Sequence, residues 1–238
     1  MTQKHILIIE DEQKIAAILK DYLEKSSYRV TIIGRGDQAV VQVRKSLPDL
    51  ILLDIMLPVM DGMAVCREIR KFSSVPVIMI TAKVEEIDRL LGLEIGADDY
   101  ICKPFSPREV VARVKAVLRR VNPEPFWGND AVCGHLILGS IVLDEASHRV
   151  TVNSKELELT PSEFRLMQVL ISQPGRVFSR DELLARVQGY DFEGYDRTID
   201  SHIKNLRKKI AVHLPDQEII STVYGLGYKL NYAMNDTS

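Results

Sequence analysis

The chain has 238 residues, 46% of them apolar and 27% charged, with a formal net charge of −2. That length suits two domains, and the near-neutral charge excludes a global basic field, so any basic face must be local. Cys66, Cys102 and Cys133 are odd in number and share no CxxC or Cys/His spacing, which predicts reduced thiols and no zinc site. The N-terminal apolar run is too short for a signal peptide and no later run could span a bilayer, so the expected location is the cytoplasm, away from membrane.

In the first half, apolar runs alternate with helical periodicities. Residues 6–9 read as a buried strand ending in Glu10-Asp11-Glu12, and Ile15, Ile18, Leu19, Tyr22 and Leu23 follow at helical spacing. Residues 28–33 are β-rich and stop at Gly34; Ala39, Val40 and Val43 suggest a second helix. Leu50-Ile51-Leu52-Leu53 suits a strand buried on both faces, and it ends at Asp54, shortly before Leu57-Pro58. Met63, Val65, Cys66 and Ile69 give a helix begun near Asp61-Gly62. Residues 76–80 form the next strand, ending at Thr81. Ile87, Leu90, Leu91 and Ile95 make a fourth helix stopped by Gly96. Residues 99–102 form a last short strand before Lys103-Pro104, and Ser106 with Pro107 opens a fifth helix. Five strands alternating with five helices predict an α/β fold, a flavodoxin-like, doubly wound five-stranded parallel sheet.

In such sheets ligands bind at the carboxyl edge of the strands. Asp54 at that edge is a helix cap, a metal ligand or a nucleophile. Thr81, Lys103 and the pair Glu10-Asp11 each have an ordinary structural explanation alone, as strand-end cap, solvated lysine and helix N-terminal acids. Together on alternating strands they converge. Packed carboxylates repel unless a cation joins them, and without histidine or cysteine among them a hard cation, Mg²⁺, fits best. Magnesium beside a carboxylate, a lysine and a hydroxyl suits phosphoryl transfer, with the carboxylate attacking.

Glu10-Asp11, Asp54 with Leu57-Pro58 and Asp61-Gly62, Thr81-Ala82, and Tyr100 through Lys103-Pro104-Phe105 make residues 1–120 resemble the receiver domain of bacterial two-component response regulators, which is CheY-like. The resemblance implies that Asp54 takes a phosphoryl group from a sensor kinase histidine. It implies Mg²⁺ held by Asp11, Asp54 and the Met56 carbonyl, with Glu10 nearby through water. Thr81 and Tyr100 would be a switch pair, Lys103 a phosphate-binding residue, and the Lys103-Pro104 bond cis. It also implies a homodimer after phosphorylation through Arg89, Leu90, Leu93, Asp98, Asp99, Glu109, Val111, Arg113 and Arg120, pairing Arg89 with Glu109 and Asp99 with Arg113 across a two-fold interface.

Residues 121–134 lose periodicity and carry Pro123, Pro125 and Gly128, which predicts a linker, unusual in holding Phe126 and Trp127. Short strands at 136–138, 141–143, 149–152 and 156–159 then suggest a small antiparallel sheet. Thr160-Pro161-Ser162-Glu163 and Ser179-Arg180-Asp181-Glu182 are capping-box helix starts. A third helix is expected from about 196 to 210, and a hairpin around Gly225-Leu226-Gly227. On the third helix Ile199, Ile203, Leu206 and Ile210 form a buried stripe; Arg197, Ser201, Lys204, Asn205 and Lys208 fall opposite, flanked by Arg207 and Lys209. A basic face with Asn and Ser among the cations suits the major groove.

Leu159-Thr160-Pro161-Ser162-Glu163-Phe164, Val177-Phe178-Ser179-Arg180, Arg197-Thr198-Ile199-Asp200-Ser201-His202-Ile203, Leu206-Arg207-Lys208-Lys209 and Gly225-Leu226-Gly227-Tyr228 make residues 135–233 resemble the winged helix-turn-helix domains of the OmpR/PhoB class. This implies binding to direct-repeat promoter DNA, with Thr198 added to the DNA face and the hairpin as a wing. Tyr224 stands where many relatives carry an arginine. The loop 189–195 would meet RNA polymerase, and 234–238 would be a tail. Three stretches, 85–91, 100–103 and 200–205, look closest to a subgroup that controls envelope-stress and efflux genes. A phosphohydrolase of the haloacid dehalogenase type would need a second Asp where Met56 stands. A flavodoxin-like cofactor binder would need a glycine loop after the first strand, where this chain has acids.

Overall fold

The computed structural model describes residues 3–82, 95–121, 135–188 and 197–231. The chain divides into two compact units, Met1–Arg119 and Arg120–Ser238. The predicted fourth helix (apart from its last residues), the residues 122–134, the loop 189–195 and the tail lie outside the described residues, as do Arg89, Leu90, Leu93, Phe126, Trp127 and Cys133. The side chains of Arg120, Arg197 and Thr198 lie outside them too.

The first unit is built on five parallel strands, β1 (His5–Ile9), β2 (Arg29–Ile33), β3 (Leu50–Asp54), β4 (Val77–Thr81) and β5 (Asp99–Cys102), in the order β2-β1-β3-β4-β5. The unbroken apolar runs land where both faces are covered: every residue of β1, β3 and β4 is buried. Alternate residues serve opposite cores. Ile6, Ile8, Leu50, Leu52, Ile78 and Ile80 pack under α1 (Gln13–Lys25) and α4 (Pro107–Val121). Leu7, Ile9, Ile51, Leu53, Val77 and Met79 pack under α2 (Gly36–Ser46) and α3 (Gly62–Arg70). The chain order reverses between β1 and β3, so a crevice opens at their carboxyl ends, beside Glu10, Asp11 and Asp54.

The turn after β3 is tight. Asp61 caps α3 by accepting from Ala64 N at 2.7 Å. A Cβ on Gly62 would lie 2.1 Å from the Asp54 carbonyl oxygen, so only glycine lets α3 start this close to the strand. The Lys103-Pro104 bond is cis.

The second unit opens with an antiparallel meander, β6 (His135–Leu138), β7 (Ile141–Asp144), β8 (Arg149–Val152) and β9 (Lys155–Glu156). The last strand is shorter and earlier than the predicted 156–159. Asn153 and Ser154 both take positive φ and make a two-residue hairpin loop, after which the chain leaves the sheet for the next helix cap. Three helices follow, α5 (Pro161–Ser172), α6 (Arg180–Gln188) and α7 (Arg197–Ala211), then the hairpin β10 (Ile220–Val223) and β11 (Gly227–Leu230). One apolar core joins the meander, all three helices and the hairpin. The capping box at Thr160 and Glu163 forms in both directions. At Ser179 only half forms: the hydroxyl accepts from Glu182 N at 3.1 Å, while the Glu182 carboxylate pairs with Arg176 and Arg186.

Candidate functional site

At the crevice, carboxylate oxygens of Glu10, Asp11 and Asp54 all lie within 4.8 Å of one another. Glu10 and Asp54 are buried and Asp11 is exposed, so the cluster opens to solvent through Asp11. The next helix takes its cap from Asp61, which removes the cap role from Asp54. Asp54 is instead fixed by two donors: Met56 N reaches its Oδ1 at 2.9 Å, and Lys103 Nζ its Oδ2 at 2.6 Å. Lys103 also lies 3.0 Å from Glu10 Oε2 and 3.3 Å from Glu12 Oε1. The sequence placed Glu12 next to this pocket without giving it a role; its reach to Lys103 spans 91 positions, which no local pattern reveals.

Burial, and then the negative charge of Asp54, push the Glu10 carboxyl up to about 7, against the pull of Lys103. Burial disfavours the Lys103 ammonium, but the hydrogen bonds and charges of Asp54 and Glu10 outweigh it and hold the lysine well above its usual range. Two buried carboxylates, Glu10 and Asp54, with exposed Asp11 beside them, concentrate negative charge around one ammonium. All donors are oxygen, with no histidine or cysteine in the cluster, and this set fits a hard divalent cation.

Thr81 is wholly buried at the end of β4, and its carbonyl accepts from Lys103 N at 2.7 Å, which ties the hydroxyl-bearing and lysine-bearing strand ends together. Tyr100 is half-buried and donates to Met79 Sδ at 3.0 Å.

Asp98, expected on a dimer surface, is buried completely. It pairs with Arg70 at 3.2 Å and accepts from Val77 N at 3.0 Å, locking the start of β4 to the end of α3. Asp99 is buried too, and its bond to Arg113 at 3.3 Å is made within one chain, as is that of Glu109 to Arg113 at 3.0 Å. Val111 is half-buried against the α4 side of the core.

On α7, Lys204 and Lys208 are exposed and Asn205 is half-buried. Ser201, expected on the same open face, is buried at 4% exposure. A helical wheel with one apolar stripe misplaces it, because the N-terminal half of α7 is enclosed on several sides: Ile199, His202 and Ile203 are buried as well. Arg207 does not extend into solvent; it donates to Ile220 O at 2.8 Å and Thr222 Oγ1 at 2.9 Å of the hairpin. Lys209 is spent on Glu163, at 2.6 Å. Tyr224 stands at the hairpin tip, 93% exposed.

Residues 6–115 match the model of the response regulator receiver domain, and residues 154–230 that of the transcriptional regulatory protein C terminal. The chain belongs to the OmpR/PhoB family of two-component response regulators. It is 53% identical over 225 residues to the transcriptional regulatory protein BaeR of Escherichia coli O6:H1, covering 94% of this chain and 91% of that one. With the alkaline phosphatase synthesis transcriptional regulatory protein PhoP of Bacillus subtilis it shares 45% over 231 residues, covering 95% and 96%. Among solved structures, a RitR mutant superposes with a TM-score of 0.73 at 26% identity, covering 96% of this chain and 99% of that one. DrrB of Thermotoga maritima, an OmpR/PhoB homolog, gives 0.50 at 27%, covering 97% and 100%. This response regulator therefore joins a receiver domain to a DNA-binding domain, and its relatives are transcription regulators rather than metabolic enzymes. BaeR is the subgroup that the three short stretches point to. No described helix is long and apolar enough to cross a membrane.

Proposed function

We propose that this response regulator is switched by phosphorylation of Asp54 by a sensor histidine kinase, dimerises, and then binds direct-repeat promoter DNA to regulate transcription. The observation that carries the reading is the Lys103 ammonium 2.6 Å from Asp54 Oδ2, inside a cluster of carboxylates at a sheet's carboxyl edge. An Asp54 oxygen attacks phosphorus, the bond from phosphorus to the histidine nitrogen breaks, and the freed imidazole regains its proton from solvent. Lys103 neutralises a phosphoryl oxygen and Thr81 donates to another. Asp11 and Asp54, with the Met56 carbonyl, would hold Mg²⁺, and Glu10 would act on it through water. The cation, when bound, offsets the charge that builds on the phosphoryl oxygens.

Phosphorylation then shifts a pre-existing equilibrium in which Thr81 and Tyr100 change partners. The proposed dimer residues are Arg89, Leu90, Leu93, Glu109, Val111, Arg113 and Arg120. Two linked DNA-binding domains gain affinity through effective concentration. Lys204, Asn205 and Lys208, with Arg197 and Thr198, face the major groove, and Tyr224 the minor groove. The loop 189–195 meets RNA polymerase. Residues 121–134 serve as linker between a receiver of 1–120 and a DNA-binding domain of 135–233, all in the cytoplasm. The likeness to BaeR supports envelope-stress and efflux genes as targets.

Intact mass after incubation with acetyl phosphate and Mg²⁺ tests the core of this. Wild type gains one phosphate and Asp54→Ala gains none; equal gain in both would place the acceptor elsewhere.

A further inference from the structure

Tyr228 is almost fully buried, yet it is the most heavily tied polar side chain of the hairpin. Its hydroxyl donates to Asp200 Oδ1 at 2.7 Å, in the first turn of α7. The same oxygen accepts from Arg180 Nε at 2.8 Å, at the start of α6. Two guanidinium groups stand over its ring, Arg180 at 5.2 Å and Arg207 at 5.7 Å from the ring centre. Its backbone bridges Phe178 in both directions, at 2.8 Å and 3.0 Å. A Cβ on neighbouring Gly227 would lie 2.0 Å from the Phe178 carbonyl oxygen, so this approach is as close as the backbone allows.

The second tie completes the first. Arg207, about two helical turns beyond Asp200, holds Ile220 O and Thr222 Oγ1. Thr222 and Tyr228 are direct cross-strand partners. Both ends of a two-turn stretch of α7 are therefore fastened to one cross-strand pair. Two such fastenings fix not only the distance between helix and hairpin but also their relative rotation. The tip, with Tyr224 and Leu226 exposed, begins two residues beyond that pair on either strand. Burial of Ile199, Ile203, Leu206, Ile220 and Leu230 already holds the two elements together. Partly exposed polar ties add little to that; what they add is geometry.

We propose that Tyr228 is a positioning residue for DNA recognition, which with Thr222 and Arg207 sets the hairpin tip and the exposed face of α7 so that both engage one duplex as a single rigid surface. This rests on the DNA-binding reading of α7 and the hairpin given above. Tyr228 is too buried to touch DNA itself, so its effect must pass through the tip.

The test is a double-mutant cycle on the full chain. The probes are a duplex selected from a random pool by the wild-type protein and a scrambled duplex of the same length. Tyr228→Phe is expected to weaken the selected duplex about tenfold and the scrambled one less than about twofold, with the melting temperature nearly unchanged. With the tip already cut back by Tyr224→Ala and Leu226→Ala, Tyr228→Phe is expected to change almost nothing. Thr222→Val, at a half-exposed position, repeats the test should Tyr228→Phe fail to fold. Additive losses in the cycle, or equal loss on both duplexes, would overturn the positioning role while leaving DNA binding intact. A wild type that selects no sequence would overturn the DNA-binding reading and this inference with it.

Discussion

Lys103 Nζ lies 2.6 Å from Asp54 Oδ2, although the two residues are 49 positions apart and end different strands. The contact is a product of sheet order: β4 separates β3 from β5, and each strand end adds one group to a common edge. Among the described residues, Lys103 is the cation bonded to the buried acids there. Replacing it with methionine keeps the stem and removes the charge. Lys103→Met should slow phosphorylation by acetyl phosphate by about 100-fold, the usual scale for losing one preorganised donor to a developing anion. The same change should tighten Mg²⁺ binding, because a competing positive charge leaves the carboxylates. Rates followed by intact mass, with Mg²⁺ titrated by calorimetry, would check both signs; weaker Mg²⁺ binding would mean Lys103 organises the acids rather than competing for them.

Strands β1, β3 and β4 are legible because a strand buried on both faces is apolar throughout, and the polar residue that closes each run, Glu10, Asp54 or Thr81, marks the sheet's open edge. What local patterns miss is side-chain reach. Asp98 and Asp99 stand together as if both were surface charges, but Arg70, 28 positions earlier, draws Asp98 into the interior. Ser201 looked exposed on a wheel that assumes one buried side. Arg180 stands inside a capping-box pattern and a family-like stretch, neither of which reveals that its guanidinium works on Asp200 and Tyr228. The helix between β4 and β5, expected from residues 87–95, lies almost wholly outside the described residues.

Val59 holds φ at 71°, at the centre of a three-residue turn closed by Met60 N to Pro58 O at 2.9 Å. A β-branched residue there is strained, and its side chain is 78% exposed, so no packing repays the strain. Val59→Gly relieves strain of about 1–3 kcal/mol and loses about 1 kcal/mol to added freedom of the unfolded chain. The net expectation is a gain near 1 kcal/mol, seen as a rise of roughly 4 °C in melting temperature. A lower melting temperature would show that the valine side chain makes a stabilising contact after all.

Cys66 is wholly buried on α3, and burial pushes its thiol up to about 11. The thiolate is the charged form, so between the ordinary thiol value and about 11 the folded chain keeps a proton that the unfolded chain has lost. Stability from this group is full below that window and falls as pH rises through it, by at most roughly 3 kcal/mol. Denaturant melts at pH 8.5 and 10.5 should show a shallower fall for Cys66→Ala than for wild type. Parallel slopes would mean the thiol does not titrate with unfolding. Half-buried Cys102 should meanwhile alkylate in the native protein at pH 8 while Cys66 does not.

Lys204 and Asn205 are neighbours on α7 with different chemistry. Lys204 is exposed and offers a point charge, which suits a backbone phosphate; Asn205 is half-buried and offers a donor and an acceptor side by side, which suits an adenine edge. Lys204→Ala should weaken binding to all duplexes alike and reduce the salt slope by about one ion. Asn205→Ala should cost about 1–3 kcal/mol on the selected duplex and far less on a scrambled one. Affinities measured on both duplexes at several salt concentrations separate the two roles. If Asn205→Ala lowers both affinities equally, the amide is holding the helix or a phosphate, and base reading must fall to Lys208 and the first turn of α7.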